Sequence, residues 1–197
     1  MSIPVTYNFP GSSLGADWTE ILNGFTVESN VASGNAADVC LAKWVTDTFS
    51  ADQKASVIPD ATAPGLRAGC AVRLTGTSAA NARGYAAITD KTTVEGDTLL
   101  IWKVTDGSVT DLVAPRAVSP IFNGTTDILA VEIEGTTLRV KRNGTQIGAD
   151  ISATDYATGQ PGIAAYADTL KSFTADNIGG AYAPPVLPFV RLQFQPA

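Results

Sequence analysis

The feature that most constrains this chain is the alternation of apolar and polar side chains between residues 128 and 163. Large apolar side chains take every second position of two neighbouring segments: Leu129, Val131 and Ile133, then Leu138 and Val140. Charged side chains stand between them: Glu132, Glu134, Arg139 and Lys141. Successive side chains of a strand point to opposite faces of a sheet, so this pattern predicts strands with one buried face. Gly135 and Asn143-Gly144 separate the segments and predict turns, because Asn and Gly tolerate positive φ.

The sequence therefore predicts an antiparallel meander that is followed by a Gly-Pro-Gly corner and another buried strand. The side chains that we predict to be core are Leu129, Leu138, Val140 and Ile163. Similar runs occur in residues 36–46, 66–74, 84–88 and 98–104, and no segment keeps a helical period over three turns. In residues 66–74 the even-numbered side chains, including Leu74, form the apolar face, and Arg73 is predicted to lie on the opposite face.

The composition changes after Gly179-Gly180 to Ala-Tyr-Ala-Pro-Pro-Val-Leu-Pro. Proline cannot donate to a central ladder. We therefore divide the chain into a sandwich domain, 1–178, and a linker with a Pro-rich C-terminal arm, 179–197. The large apolar side chains near the end of the arm are Phe189, Val190, Leu192 and Phe194. Exposed together they favour association, so we expect the arm to bury them, either by docking on a neighbouring protein or by folding over its own sandwich.

The order of these signals resembles the concanavalin A-like lectin/glucanase superfamily, and more narrowly its laminin-G-like jelly-roll modules of extracellular and phage proteins. The motifs that carry the resemblance are Gly135, Leu138-x-Val140, Asn143-Gly144, Asp155, Gly159-x-Pro161-Gly162-Ile163, Phe173 and Asp176-Asn177. The resemblance covers the chain from Phe9 to about Ile178. It implies an all-β jelly-roll sandwich of two antiparallel sheets, in agreement with the alternation.

The composition excludes several classes of function. A net charge of −6 without a basic cluster argues against nucleic acid as a partner. No apolar run is long enough to predict a membrane span. The chain contains no histidine, which removes the commonest general base and the commonest zinc ligand.

No catalytic residues are predicted. Laminarinase-type hydrolases of the resembled superfamily carry Glu-x-Asp-x-x-Glu on one strand, where the carboxylates act as nucleophile and acid. The nearest string here begins Glu95-Gly96-Asp97 and lacks the last Glu. Glu132 and Glu134 also share one face, and we favour a solvated or lysine-paired sheet face for them. We therefore predict that the protein is not an enzyme.

The candidate binding residues are few. Aromatic rings stack on sugar rings, and Tyr85, Trp44 and Tyr156 are the candidate glycan platform, whereas Trp102 is predicted to be buried with its neighbours Leu100 and Val104. The resemblance implies a structural calcium ion near the last strand, at Asp176, although calcium needs six to eight oxygen ligands. No other cofactor is predicted.

Two cysteines, Cys40 and Cys70, lie in separate predicted strands. We favour buried free thiols, because the first residues show neither the basic nor the apolar region of a signal peptide. A disulfide between them is the alternative.

The function that we expect is a non-enzymatic virion surface protein, such as a phage capsid decoration or tail-associated module. This expectation rests on three features: no catalytic residues are predicted, the first residues show no signal-peptide pattern, and the C-terminal arm is rich in proline. The resemblance to phage-borne modules implies the setting. The expected location is the virion, and the expected partners are other virion proteins, further copies of the chain and a surface glycan. The alternative is an extracellular carbohydrate-binding module or lectin for adhesion, and the third hypothesis is a degenerate glycosidase-like protein.

Overall fold

The computed structural model describes residues 4–35, 38–59, 65–91, 97–118, 122 and 126–178, with only the backbone of Lys91. In these ranges the chain forms two antiparallel sheets that stack face to face, so the predicted all-β jelly-roll sandwich is confirmed. No helix within the same ranges is long and apolar enough to cross a membrane. The predicted arm, with Phe189, Val190, Leu192 and Phe194, lies outside the described residues, as does Glu95.

Seventeen strands, numbered in chain order, occur in the described ranges: β1 Val5–Tyr7, β2 Trp18–Leu22, β3 Phe25–Glu28, β4 Val31–Gly34, β5 Val39–Trp44, β6 Gln53–Pro59, β7 Arg67–Thr75, β8 Arg83–Lys91, β9 Asp97–Thr105, β10 Ser108–Asp111, β11 Arg116–Val118, β12 Leu129–Glu134, β13 Thr137–Arg142, β14 Thr145–Gln146, β15 Ile151–Ser152, β16 Gln160–Tyr166 and β17 Thr169–Asn177. A 3₁₀ turn spans Ala79–Asn81. The first sheet has the order β14-β13-β12-β6-β17-β4-β3, with β1 on β17 and β15 on β13. The second sheet has the order β10-β9-β8-β7-β16-β5-β2, with β11 on β9.

The hairpin of β12 and β13 shows how the alternation builds the first sheet. Val131 lies opposite Val140, and both side chains are buried between the sheets. The turn residues Gly135, Asn143 and Gly144 all have positive φ, as predicted. The four predicted core side chains, Leu129, Leu138, Val140 and Ile163, are buried, so the predicted register is confirmed.

The outward face of the same hairpin carries ion pairs rather than a catalytic carboxylate pair. The Lys141 ammonium lies 2.6 Å from a carboxylate oxygen of Glu132, and Arg139 lies 3.0 Å from Glu134. The prediction of a paired sheet face is therefore confirmed.

Aromatic rings from both sheets meet in the core between them. Trp18 packs edge-on against Trp44 and Phe173, with ring centroids 5.2 and 4.8 Å apart, and Tyr7 and Phe9 complete the group. Such edge-to-face pairs add stabilisation beyond the apolar area that they bury. Cys40 and Cys70 are both buried in the same core with no disulfide between them, which agrees with the favoured interpretation. Burial raises the pKa of Cys70 to about 12.

Strand β7 departs from its predicted alternation near its end. Its register against β8 shifts between Val72 and Thr75, and Arg73 has a φ of 53°. This bulge places Leu74 in a hydrophobic cluster separate from that of Cys70 and Val72. The predicted face of Leu74 is therefore wrong, because a bulge inserts one residue and changes the alternation beyond it.

The same bulge buries Arg73, which we predicted on the opposite, polar face. Its side chain is 3% exposed. The guanidinium donates to the carbonyl oxygens of Ala51, Tyr156 and Gly135 at 2.9, 2.8 and 2.7 Å. Arg73 therefore ties three loops together at one end of the sandwich.

Candidate functional site

The second sheet is hydrophobic on both faces. One face packs on the first sheet, and the other carries a separate group of buried residues, here called the outer-face cluster. Its members are Ile21, Val39, Leu41, Ala71, Leu74, Ala82, Ala86, Ile88, Leu100, Trp102, Val104 and Ala164. All except Ala82 lie on strands of this sheet. Trp102 is buried, as predicted, but on this face rather than between the sheets.

Several small residues stand in the middle of this outer face, and this strip is here called the trough, with the small residues as its floor. The floor consists of Gly69 and Ala71 on β7, Ala86 on β8, and Gly162 and Ala164 on β16. Larger side chains flank it, with Leu100 and Trp102 on β9 and Leu41 on β5. A Cβ at position 69 would lie 2.0 Å from the carbonyl oxygen of Ala87, so this floor position requires glycine.

A polar row crosses one end of the trough. Tyr166 on β16 pairs in register with Arg67 on β7, which pairs with Asp90 on β8, and Asp90 pairs with Thr98 on β9. Residues paired in this way project their side chains on the same face of a sheet. These residues are here called the polar row, and they alternate along their strands with residues of the sandwich core.

Contacts within the polar row fix the position of the Arg67 guanidinium. Its Nε donates to Asp90 Oδ2 at 2.8 Å. Its Cζ lies 5.2 Å from the ring centroid of Tyr166 and 5.9 Å from that of Trp102, which are cation–π distances. The arginine side chain is 34% exposed and Tyr166 is half-buried, so both are accessible from solvent.

The second carboxylate oxygen of Asp90 is the unusual atom of the row. Asp90 is 7% exposed, and its Oδ1 has no hydrogen-bond partner within the part of the chain that the structure describes. Leaving a buried acceptor unsatisfied costs about 1–3 kcal/mol, and more when the group is charged. The row therefore combines an acceptor without a donor, a fixed guanidinium and an aromatic ring.

Sequence reasoning did not select Arg67, Asp90 or Tyr166 as site residues. Their separation along the chain gives no local motif, and only the register of β16, β7 and β8 brings them together. The signal in the sequence was limited to charged residues within two mainly apolar strands.

The prediction of a glycan platform is wrong for two of its three residues, Trp44 and Tyr85. Trp44 is buried between the sheets, where its ring contacts Tyr7, Trp18 and Phe173 and its Nε1 donates to Asp47. A ring enclosed in this way cannot stack on a sugar.

Tyr85 is also fully buried, and its hydroxyl accepts the backbone N–H groups of Asp155 and Tyr156 at 2.9 and 3.1 Å. Burial raises the pKa of Tyr85. Tyr156 is half-buried, and its hydroxyl lies 2.6 Å from Thr105 Oγ1. The role of Tyr156 in glycan binding stays a prediction.

Asp176 lies on β17 opposite Lys54, and its Oδ1 accepts the N–H of Asn177 at 2.8 Å. Within the described ranges no group of three or more His, Cys, Asp or Glu side chains could hold a metal ion. Calcium prefers several oxygen ligands, often carboxylates. A structural calcium ion at Asp176 therefore stays a prediction without a described ligand set.

A more open cleft of about 590 Å³ lies against the β13–β14 hairpin and β11. Its main charged residue, Arg142, pairs with Asp127, which also accepts a hydrogen bond from Asn143. Arg142 Cζ in addition lies 4.6 Å from the ring centroid of Phe122. Both carboxylate oxygens of Asp127 accept hydrogen bonds, from Arg142 and Asn143, whereas Asp90 Oδ1 has no partner among the described residues, so the polar row is the stronger candidate site.

Comparison with protein-family models and with curated proteins gave no match. Solved structures gave several. The carbohydrate binding module CBM66 from Bacillus subtilis superposes with a TM-score of 0.63 at 17% identity, over 85% of this chain and 98% of that module. The exoplasmic/lumenal domain of VIP36, bound to Ca²⁺ and Man3GlcNAc, gives 0.59 at 15% identity, over 91% of this chain and 90% of that domain.

A single-substitution variant of LamA from Zobellia galactanivorans, in complex with laminaritriose and laminaritetraose, gives a TM-score of 0.55 at 8% identity. That match covers 88% of this chain and 97% of LamA. These likenesses establish the concanavalin A-like jelly-roll fold of the chain. Structures this distant in sequence show the fold alone, so the function has to be argued from the site.

Proposed function

We propose that this protein is a non-catalytic carbohydrate-binding module that holds a sugar at the polar row of its second sheet. The observation that carries the proposal is Asp90, whose buried Oδ1 has no donor among the described residues while its Oδ2 accepts from Arg67. The likeness to CBM66 and to the sugar-bound VIP36 domain supports a glycan as the ligand.

The chemistry of the row suits vicinal hydroxyl groups. A sugar hydroxyl that donates to Asp90 Oδ1 satisfies the buried oxygen, and a neighbouring hydroxyl oxygen accepts from the guanidinium of Arg67. Hydrogen bonds with a charged partner are stronger than neutral ones. The ring of Tyr166 supplies an apolar surface beside them for the C–H face of the sugar.

A glycan array probed with the full-length chain identifies the ligand, and calorimetry then measures its affinity. Asp90→Asn keeps the size of the side chain and removes its charge. Hydrogen bonds to charged groups contribute about 1.5–3 kcal/mol, so we expect a loss of affinity of roughly tenfold or more. Arg67→Ala is expected to give a similar loss.

The chain offers a matched control at the other end of β8. Arg83 donates to Asp106 at 2.8 Å, the same distance as in the Arg67–Asp90 pair, but both side chains are exposed. Asp106→Asn should leave the affinity unchanged. Absence of any bound glycan, or equal affinity of the Asp90 and Asp106 variants, would refute the proposal.

The expected virion setting, with other virion proteins and further copies of the chain as partners, stays a prediction, as does the alternative extracellular location. Glycan binding is compatible with both settings. A negative-stain image of particles that carry the protein would test the first directly.

A further inference from the structure

A second cleft, apart from the polar row, opens at the edge of the sandwich beside β2, the last strand of the second sheet. Trp18 of this strand pairs with Trp44 at one end of β5, whereas Tyr166 of the polar row pairs with Val39 at the other end. The cleft has a volume of about 290 Å³ and is here called the edge cleft. Its lining consists of Ser13, Leu14, Gly15, Trp18 and Glu20. The edge cleft and the polar row therefore share no residue.

The indole of Trp18 carries a buried donor without an acceptor. The residue is 7% exposed, and its Nε1 has no hydrogen-bond partner within the described part of the chain. Edge-on contacts with the rings of Trp44 and Phe173, at centroid distances of 5.2 and 4.8 Å, hold the indole in place. The Nε1 of Trp44, by contrast, donates to Asp47 Oδ2 at 2.9 Å. Because a buried donor without a partner destabilises the fold, an acceptor that reached Trp18 Nε1 would be bound favourably.

Glu20 supplies the complementary acceptor in the same lining. Its Oε1 accepts the backbone N–H of Phe25 at 2.9 Å, which fixes the carboxylate at the start of β3. Glu20 is exposed, and its Oε2 makes neither a hydrogen bond nor an ion pair with the residues that the structure describes. The edge cleft therefore presents a neutral donor and a charged acceptor, with the apolar side chain of Leu14 in the same lining.

This combination of groups selects the chemistry of the ligand. An anion would be repelled by the carboxylate of Glu20, and an ammonium group has no lone pair with which to accept from the indole N–H of Trp18. A hydroxyl group both donates and accepts, and neighbouring hydroxyls on a sugar ring do so side by side. A volume of about 290 Å³ is at the lower end of ligand pockets, which suits one sugar ring rather than an extended chain.

We propose that the edge cleft binds a single sugar residue, with one hydroxyl oxygen accepting from Trp18 Nε1 and a neighbouring hydroxyl donating to Glu20 Oε2. Leu14 supplies an apolar surface for the C–H groups of the sugar ring. Because Nε1 is buried, the sugar has to displace part of the lining to reach it, and Ser13 and Gly15 are exposed members of that lining. Binding here does not depend on binding at the polar row.

The indole resonances of the ¹⁵N-labelled full-length chain test the proposal, because the three tryptophans report three different places. Trp18 reports the edge cleft. The ring centroid of Trp102 lies 5.9 Å from Arg67 Cζ, so Trp102 reports the polar row. Trp44 is the internal control, since its N–H is already paired with Asp47. Titration with the methyl glycosides of mannose, glucose, galactose and N-acetylglucosamine should move the Trp18 resonance downfield for at least one probe, and the Trp44 resonance should move far less.

Substitution of Glu20 tests the second contact. Glu20→Gln keeps the oxygen that accepts from Phe25 and removes the negative charge. It should weaken binding of the responding glycoside roughly tenfold, because hydrogen bonds to a charged group are stronger than neutral ones. Glu28→Gln is the matched control, since Glu28 is an exposed glutamate of β3 outside the lining, and it should leave the dissociation constant unchanged.

An unchanged Trp18 resonance with all four glycosides would overturn the proposal. A response to N-methylacetamide and to none of the glycosides would identify an amide as the ligand and would overturn the assignment to a sugar. Equal dissociation constants for the Glu20 and Glu28 variants would contradict the role of the carboxylate. A glycoside that moves the Trp102 resonance but not that of Trp18 would support the polar row and refute the edge cleft, so the two sites can fail separately.

Discussion

Replacement of Arg73 by methionine should strongly destabilise the fold without touching the proposed glycan site. Methionine keeps a long unbranched apolar side chain and removes the guanidinium. The three carbonyl oxygens of Ala51, Gly135 and Tyr156 then lose their donors. The bulge itself should persist, because the backbone N–H of Arg73 donates to Gln53 Oε1 at 3.0 Å.

The magnitude follows from these contacts. Each hydrogen bond from a charged donor contributes about 1.5–3 kcal/mol, so the three together contribute roughly 4–9 kcal/mol. Part of this is offset, because burying an ion carries an effective penalty of several kcal/mol that methionine avoids. We therefore expect the free energy of unfolding to fall by about 3–5 kcal/mol, a large part of the ~5–15 kcal/mol typical of a domain.

Urea unfolding followed by tryptophan fluorescence measures this loss. Arg83→Met is the matched control, because Arg83 is exposed and makes one ion pair, with Asp106. That variant should unfold at nearly the same urea concentration as the native chain. A loss below about 1 kcal/mol for Arg73→Met, with an unchanged m-value, would refute the view that this arginine ties the loops together.

Three further predictions concern the core and the chemistry. Leu138→Ala should lower the free energy of unfolding by about 2–5 kcal/mol, and an unchanged melting temperature would mean that the register is displaced by one residue. Burial raises the pKa of Cys70 from 9.0 to about 12, so its protonated thiol stabilises the fold fully below pH 9 and progressively less from pH 9 towards 12. Urea titrations over that range should show a stability loss of at most ~1.4 kcal/mol per pH unit that Cys70→Ala reduces, and equal slopes would contradict the assignment. Incubation with laminarin should release no reducing ends, and cleavage that Glu132→Gln abolishes would contradict the prediction of a non-enzyme.

Local patterns were sufficient to predict the β12–β13 hairpin of the first sheet and its turns. Leu138 and Val140 alternate with charged residues because only one face of that hairpin is buried, and Asn143-Gly144 supplies the positive φ that its turn requires. Such signals depend on residues close together in sequence. They therefore predict an element without its distant neighbours.

The candidate site on the second sheet could not be predicted from local patterns, because both faces of this sheet are rich in buried apolar side chains. Its strands are apolar at almost every position, so alternation does not tell which aromatic residue is accessible. Trp44 and Tyr85 were mistaken for a platform for this reason. The Arg67–Asp90 contact depends on the pairing of β7 with β8, and the buried position of Arg73 depends on a bulge that no short pattern predicts.

The most direct test of the proposed function maps the bound glycan on the protein. The ligand selected on the array is titrated into ¹⁵N-labelled full-length protein while backbone amide resonances are recorded. We predict that the largest shifts occur at Arg67, Asp90 and Tyr166, on three neighbouring strands of the second sheet. Shifts concentrated instead at Tyr156, or in the cleft lined by residues 142–148, would contradict the central claim.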